Sequence, residues 1–199
     1  MKKSLIILFV LSLMLATACK KEKKDVEVET ETEENVTNTE SADTSRAEAT
    51  DKIVVLLDSK SGSTAKGNVV FRQRSNTVSM TAVFSGLEEG THAVHLHEKS
   101  DCSSDDGSSA GGHWNPTAQP HGEWGDEAGY HKGDIGNFTI NANGTGTITF
   151  FTDEWCIGCS DDAKDIIGKS VIVHQGTDDF KSQPSGAAGS RVSCGGIIQ

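Results

Sequence analysis

From Lys52 onward the chain is a succession of short runs rich in Val, Ile, Thr and Phe, punctuated by Gly, Asn and Asp: KIVVLLD, GNVVFRQ, TVSMTAVFSGL, HAVHLHE, IGNFTIN, GTGTITFFT and KSVIVHQG. β-Branched and aromatic side chains suit a pleated, half-buried surface, and the turn formers between them interrupt any helical period. No segment sustains a long helical repeat, so the pattern predicts an all-β fold, a sandwich or barrel, rather than a helix bundle. The high glycine content, 21 of 199 residues, fits the same turn-rich reading. NANGTG at 141–146 reads as a hairpin joining two strands. Two stretches, 99–134 and 175–191, carry no strand pattern. Structureless connections of that length are functional or disordered, and the first holds three histidines, which argues for function.

The amino terminus follows different rules. Lys2 and Lys3 precede an apolar run from Leu5 to about Ala16 and then small residues, which is the layout of a secretory signal peptide over 1–18. The run is short for a transmembrane span, the competing reading. The small residues before Cys19 fit an ordinary cleavage site. They also resemble a bacterial lipobox, although Ala16 stands where leucine is commoner. A cysteine abutting the cleavage point and followed by a polar stretch favours lipidation of Cys19. Residues 19–50 are acidic, lack aromatic side chains and have few large apolar ones, so they are expected to be a disordered tether. The folded domain is then 51–199. The whole chain carries 18 basic and 29 acidic residues, a formal charge of −11, which argues against nucleic acid as a partner.

Three of the seven histidines fall in HAVHLH. In a strand, His95 and His97 share one face, roughly 6 to 7 Å apart, while His92 points to the other. An i, i+2 imidazole pair is a natural chelate; its bland alternative is a polar strand face. His92 reads as a structural histidine. His113, His121 and His131 punctuate the long connection, with Asp134 close behind, and three imidazoles with a carboxylate make a tetrahedral zinc set. His174 ends an apolar strand, where the alternative is a core histidine bonded to backbone. Four imidazoles, from His95, His97, His174 and one loop residue, suit copper. Two four-coordinate sites need more ligands than six histidines and one aspartate provide, so one histidine must serve both.

The motifs HAVHLHE, SAGGHWNP, PHG at 120–122, HKGDIGNF, VIVHQGTDD and GAAGSRVSCG follow, in order and at similar spacing, those of the copper/zinc superoxide dismutases. The resemblance spans about 52–199. It implies an eight-stranded antiparallel Greek-key barrel or flattened sandwich. It implies copper on His95, His97, His113 and His174, and zinc on His113, His121, His131 and Asp134, with His113 as the bridge. Asp178 resembles the carboxylate that accepts N–H bonds from one histidine of each set. Arg191 resembles the arginine that holds the anionic substrate beside copper. The implied activity is dismutation of superoxide, copper cycling in redox state while zinc holds His113, which also supplies a proton.

Of the five cysteines, Cys19 is assigned to lipid. The resemblance pairs Cys102 with Cys194. Cys156 and Cys159 lie outside the family pattern; a local disulfide is the first reading, with a thioredoxin-like redox pair or a third metal site as weaker ones. The connection before Arg191 holds only Lys181, so any attraction of substrate is expected to draw on other lysines, such as Lys132. The alternative function is a non-catalytic copper/zinc-binding module of the cell envelope; an adhesion domain leaves the histidines unexplained. The expected location is the envelope of a bacterium, with a membrane attachment through Cys19. The expected cofactors are one copper and one zinc per subunit, and a homodimer stays open. If Cys19 carries lipid, the protein should sediment with membranes and Cys19→Ala should release it; equal retention of the variant would exclude the anchor.

Overall fold

The computed structural model describes residues 51–199. The signal peptide, Cys19 and the tether lie outside the described residues. Eight antiparallel strands run in chain order: β1 (Asp51–Ser59), β2 (Lys66–Arg74), β3 (Thr77–Ser85), β4 (Gly90–His97), β5 (Gly136–Ile140), β6 (Thr145–Thr152), β7 (Ser170–His174) and β8 (Arg191–Gly196). Among the described residues, the helical element is one 3-10 turn at Ser108–Ala110, and no helix is long and apolar enough to cross a membrane.

The strands are ordered β5-β4-β7-β8-β1-β2-β3-β6. The chain crosses over twice, from β3 to β4 and from β6 to β7, which makes the topology a Greek key. The two end strands, β5 and β6, are consecutive, so the sheet curls back into a nearly closed barrel. Their hairpin is the NANGTG turn, held by Gly144 N–H donating to Asn141 O at 2.9 Å and Thr145 N–H to the same residue's Oδ1 at 3.1 Å.

Alternation explains the first half of the barrel. In β1, Ile53, Val55 and Leu57 are buried while Val54 and Leu56 are exposed. In β3, Val78, Met80, Ala82 and Phe84 face in. These meet Val94, Leu96, Phe138, Ile140, Val171, Val173 and Val192 from the other half in one core. There the rule changes. Strand β4 is buried from His92 to His97, and β7 along its whole length. Val94 and Leu96 point to the core, while His95 and His97 are covered by the long connections rather than by water, at 0% and 1% exposure. That excludes a solvent-facing polar strand face.

Strand β8 was the one element without a strand-like composition, since RVSCGG ends in two glycines. It is a strand because β7 pairs with it along Ser170–His174, and β1 at Asp58 and Ser59. The second connection therefore ends where β8 begins, at Arg191.

The described residues form two disulfides. Cys102–Cys194 pins the first long connection to β8, packed with Ala110 and Ile172. Cys156–Cys159 closes a four-residue loop after β6, as the local-disulfide reading expected. By loop-closure entropy the first, spanning a separation of 92, contributes about 5 kcal/mol and the second about 2 kcal/mol. Urea unfolding should accordingly show a larger loss for Cys102→Ser/Cys194→Ser than for Cys156→Ser/Cys159→Ser. Equal losses would mean that loop length does not govern their contributions.

Candidate metal centre

Two candidate ligand sets are assembled on the barrel's outer wall. His95, His97, His113 and His174 form one, and His113, His121, His131 and Asp134 the other, the candidate ligand atoms of each lying within 4.8 Å of one another. His95 and His97 come from β4, and His174 from the end of β7, where a bulge between Val173 and His174 shifts the register. The rest come from the first long connection. That connection is laced to β4 by backbone: His97 and His113 form a bridge, Trp114 N–H donates to Leu96 O at 2.8 Å, and Leu96 N–H to Gly133 O at 2.9 Å. The approach needs a glycine, because a Cβ on residue 133 would fall 2.2 Å from Leu96 O.

Five of the six rings direct one nitrogen to a carboxylate or a carbonyl. His97 Nδ1 donates to Gly111 O at 2.9 Å, and His174 Nδ1 lies 3.4 Å from Gly189 O. The Nε2 atoms of these two rings then face each other at 3.4 Å with their lone pairs converging. His95 Nε2 donates to Asp178 Oδ2 at 2.8 Å, and His121 Nε2 to Asp178 Oδ1 at 2.9 Å, so one carboxylate braces a ring from each set. Gly186, at φ 66°, covers that carboxylate; a Cβ there would fall on Asp178 Oδ1. His113 turns Nδ1 to Asp134 Oδ1 at 2.8 Å and Nε2 toward the other set. His92 lies outside both sets, with its nitrogens 3.1 Å from His174 O and 2.9 Å from Glu88 O.

The arrangement fits cations. Four buried ring nitrogens have no hydrogen-bond partner: His95 Nδ1, His113 Nε2, His121 Nδ1 and His131 Nδ1. The last two sit 2.9 and 3.2 Å from Asp134 oxygens, but out of line for a hydrogen bond. Unpartnered buried ring nitrogens beside a buried carboxylate are costly unless a positive charge, a metal ion or a proton on the ring, meets them.

Charge states point the same way. Burial holds His97 and His174 well below the ordinary imidazole range, and neighbouring imidazoles push them further down. Burial likewise lowers His113 to about 4, against the pull of Asp134. Burial opposes charge on His121 too, but the carboxylates of Asp134 and Asp178 outweigh it and raise the ring to about 9. Burial would raise both aspartates, yet N–H donors from the surrounding histidines hold Asp134 and Asp178 far below the usual carboxylate range.

A cleft of about 410 Å³ opens onto this centre, lined by His97, Glu98, His113, His174, Ser185 and Arg191 among others. Arg191 Nη1 donates to Gly107 O at 2.7 Å, and Gly107 sits on the segment that Cys102–Cys194 pins. Lys132 is not there. Its Nζ lies 3.6 Å from Glu154 Oε2 and it lines a different hollow, so any pull it exerts on an anion acts from a distance. The sequence reading missed Glu98, which lines the cleft and directly follows His97 in HLHE. It also missed the carbonyls of Gly107, Gly111 and Gly189, since backbone groups leave no mark on residue identity.

A Greek-key barrel bearing two buried ligand sets with a histidine in common defines a dinuclear metalloprotein. Residues 65–197 match the profile of the copper/zinc superoxide dismutases, and the chain belongs to that family. The family's metals are copper and zinc. The extracellular superoxide dismutase [Cu-Zn] of Caenorhabditis elegans is 36% identical over 137 residues, which are 66% of this chain and 60% of that protein. The chain therefore aligns with about 60% of the length of that curated relative. The crystal structure of the clock protein EA4 superposes with a TM-score of 0.64 at 32% identity, covering 74% of this chain and 94% of that one. A double mutant of a SOD-like protein from Bacillus subtilis gives a TM-score of 0.65 at 26% identity, covering 73% and 97%.

The raised pKa of His121 has a measurable consequence. A cation entering the set with His121 must expel the proton that this ring carries below about 9. Calorimetry in buffers of different ionisation enthalpy should show proton release on metal uptake at neutral pH, fading as the pH passes about 9. Release that does not change with pH across that range would contradict the protonated state of His121.

Proposed function

We propose that this protein dismutates superoxide to dioxygen and hydrogen peroxide, with copper held by His95, His97, His113 and His174 and zinc by His113, His121, His131 and Asp134. The observation that carries the reading is the double role of His113: Nδ1 faces the aspartate set, while Nε2 is buried, unpartnered and turned to the all-imidazole set beside the Arg191 cleft. Bound copper supplies one-electron redox chemistry, whereas zinc, being d10, supplies only charge and geometry.

The chain's own residues do the rest. Arg191 binds the monoanion with a rigid fork of donors, preset by its bond to Gly107 O. His113 Nε2, which lines the cleft, holds and gives up one of the two protons that peroxide formation consumes, the other coming from water. Asp178 keeps His95 and His121 in one tautomer, so their Nδ1 atoms stay free to bind metal. Two disulfides fit an exported protein in an oxidising compartment. Together with the expected lipid anchor on Cys19, they support a reading in which the protein works in the cell envelope and protects it against superoxide.

Residues 51–199 carry 11 basic against 19 acidic side chains, a formal charge of −8. The net field opposes an approaching anion even with two divalent metals bound, so attraction must be local. Arg191 is the one cationic residue lining the cleft, and Glu98 lines it too. In fully metallated protein, Arg191→Lys should keep part of the second-order rate constant. Arg191→Ala should lose about tenfold, and Arg191→Glu more. Added salt should narrow the differences. Pulse radiolysis at two ionic strengths measures this. Wild-type rates in Arg191→Glu would remove Arg191 from substrate binding, and metal uptake without dismutation in the unaltered protein would favour the non-catalytic binding module.

A further inference from the structure

His131 comes from a loop, yet the residues on both sides of it are gripped by one short segment that follows β6. Tyr130 Oη donates to Glu154 Oε1 at 2.5 Å. Lys132 Nζ lies 3.6 Å from Glu154 Oε2 and 3.4 Å from Glu154 O. Trp155 Nε1 donates to Lys132 O at 2.8 Å. The gripping segment is itself fixed. Trp155 is 1% exposed and packs against Phe71, Trp124 and Phe150. The residue after it, Cys156, is closed onto Cys159, donates its N–H to Lys164 O at 2.8 Å and accepts from Ile166 N–H at 3.1 Å. None of these contacts involves His95, His97 or His174.

We infer that Glu154 and Trp155 are positioning residues for the zinc ligand His131. Glu154 holds the side chains before and after the ligand, and Trp155 holds the carbonyl that follows it, so the aim of the imidazole is set by the rim of the barrel. The disulfide Cys156–Cys159, outside the family's usual pattern, secures the base of that grip. The inference rests on the zinc assignment above. Its physical content is an ordering cost met before the metal arrives: a ligand already held in place loses less freedom on binding. Releasing the grip should therefore weaken zinc while leaving the copper affinity of the zinc-free protein unchanged.

The test measures zinc and copper affinities of the full chain by chelator competition, with cobalt(II) as an optical probe of the zinc set. The proteins are the wild type, Glu154→Ala, Glu154→Gln and Tyr130→Phe. Glu154→Ala should bind zinc about tenfold more weakly, the scale seen for groups that orient metal ligands, with altered visible bands of bound cobalt. Tyr130→Phe should lose less. Glu154→Gln, which keeps an acceptor for Tyr130, should recover part of the loss. Copper affinity, measured in zinc-free and cobalt-free protein, should be unchanged throughout. If the wild type binds neither zinc nor cobalt in this set, the zinc assignment fails and the inference with it. If the wild type binds and Glu154→Ala matches it in affinity and spectrum, the positioning role is overturned while the assignment stands. An equal loss of zinc and copper would mark general loosening of the fold and would also overturn it.

Discussion

Six imidazoles and two carboxylates lie under the two long connections, all nearly or fully shielded from water. Placing that many polar rings in a low-dielectric wall is unfavourable unless each nitrogen meets a donor, an acceptor or a cation. The molecule meets the demand ring by ring. One nitrogen of His95, His97, His113, His121 and His174 is directed at a carboxylate or a carbonyl, and other nitrogens are left bare in two tight groups. Much of the remaining architecture serves this. The bulge before His174, the close approach at Gly133 and the glycine over Asp178 each bring a group to a position that ordinary strand geometry would not provide.

The two halves of the barrel bear different loads. The half built from β1, β2, β3 and β6 obeys simple alternation and supplies core. The half containing β4 and β7 is buried on both faces and offers its outer face as a floor for the ligand sets. The loops that cover this floor have little regular structure of their own, so they are fixed by other means: the bridge from His97 to His113, the Cys102–Cys194 bond, and the segment around Trp155. A scaffold made rigid by hydrophobic packing thus holds irregular backbone to the tolerance that coordination chemistry demands.

How far the sequence discloses this depends on which physical signal a residue leaves. Strand alternation in TVSMTAVFS and the Asn-Gly turn after β5 are local, and both are legible directly. The pairing of Cys102 with Cys194, and the convergence of His113, His121 and His131 on β4, are long-range; they were legible through resemblance, not through spacing. Strand β8 left no local signal, because its two glycines oppose strand propensity and only its neighbours make it a strand. Lys132 shows the opposite case. Its charge was visible, but its direction was set by Glu154 across a tertiary contact that no local pattern encodes.

The sharing of His113 and the two-sided bracing by Asp178 have a thermodynamic corollary. On the proposed assignment two ions would be held through common groups and so be linked, and linkage is reciprocal: whatever factor zinc contributes to copper affinity, copper contributes to zinc affinity. The sites therefore fill as a coupled pair rather than as independent stores. Where that factor exceeds one, scarcity of either metal would also loosen the chain's hold on the other.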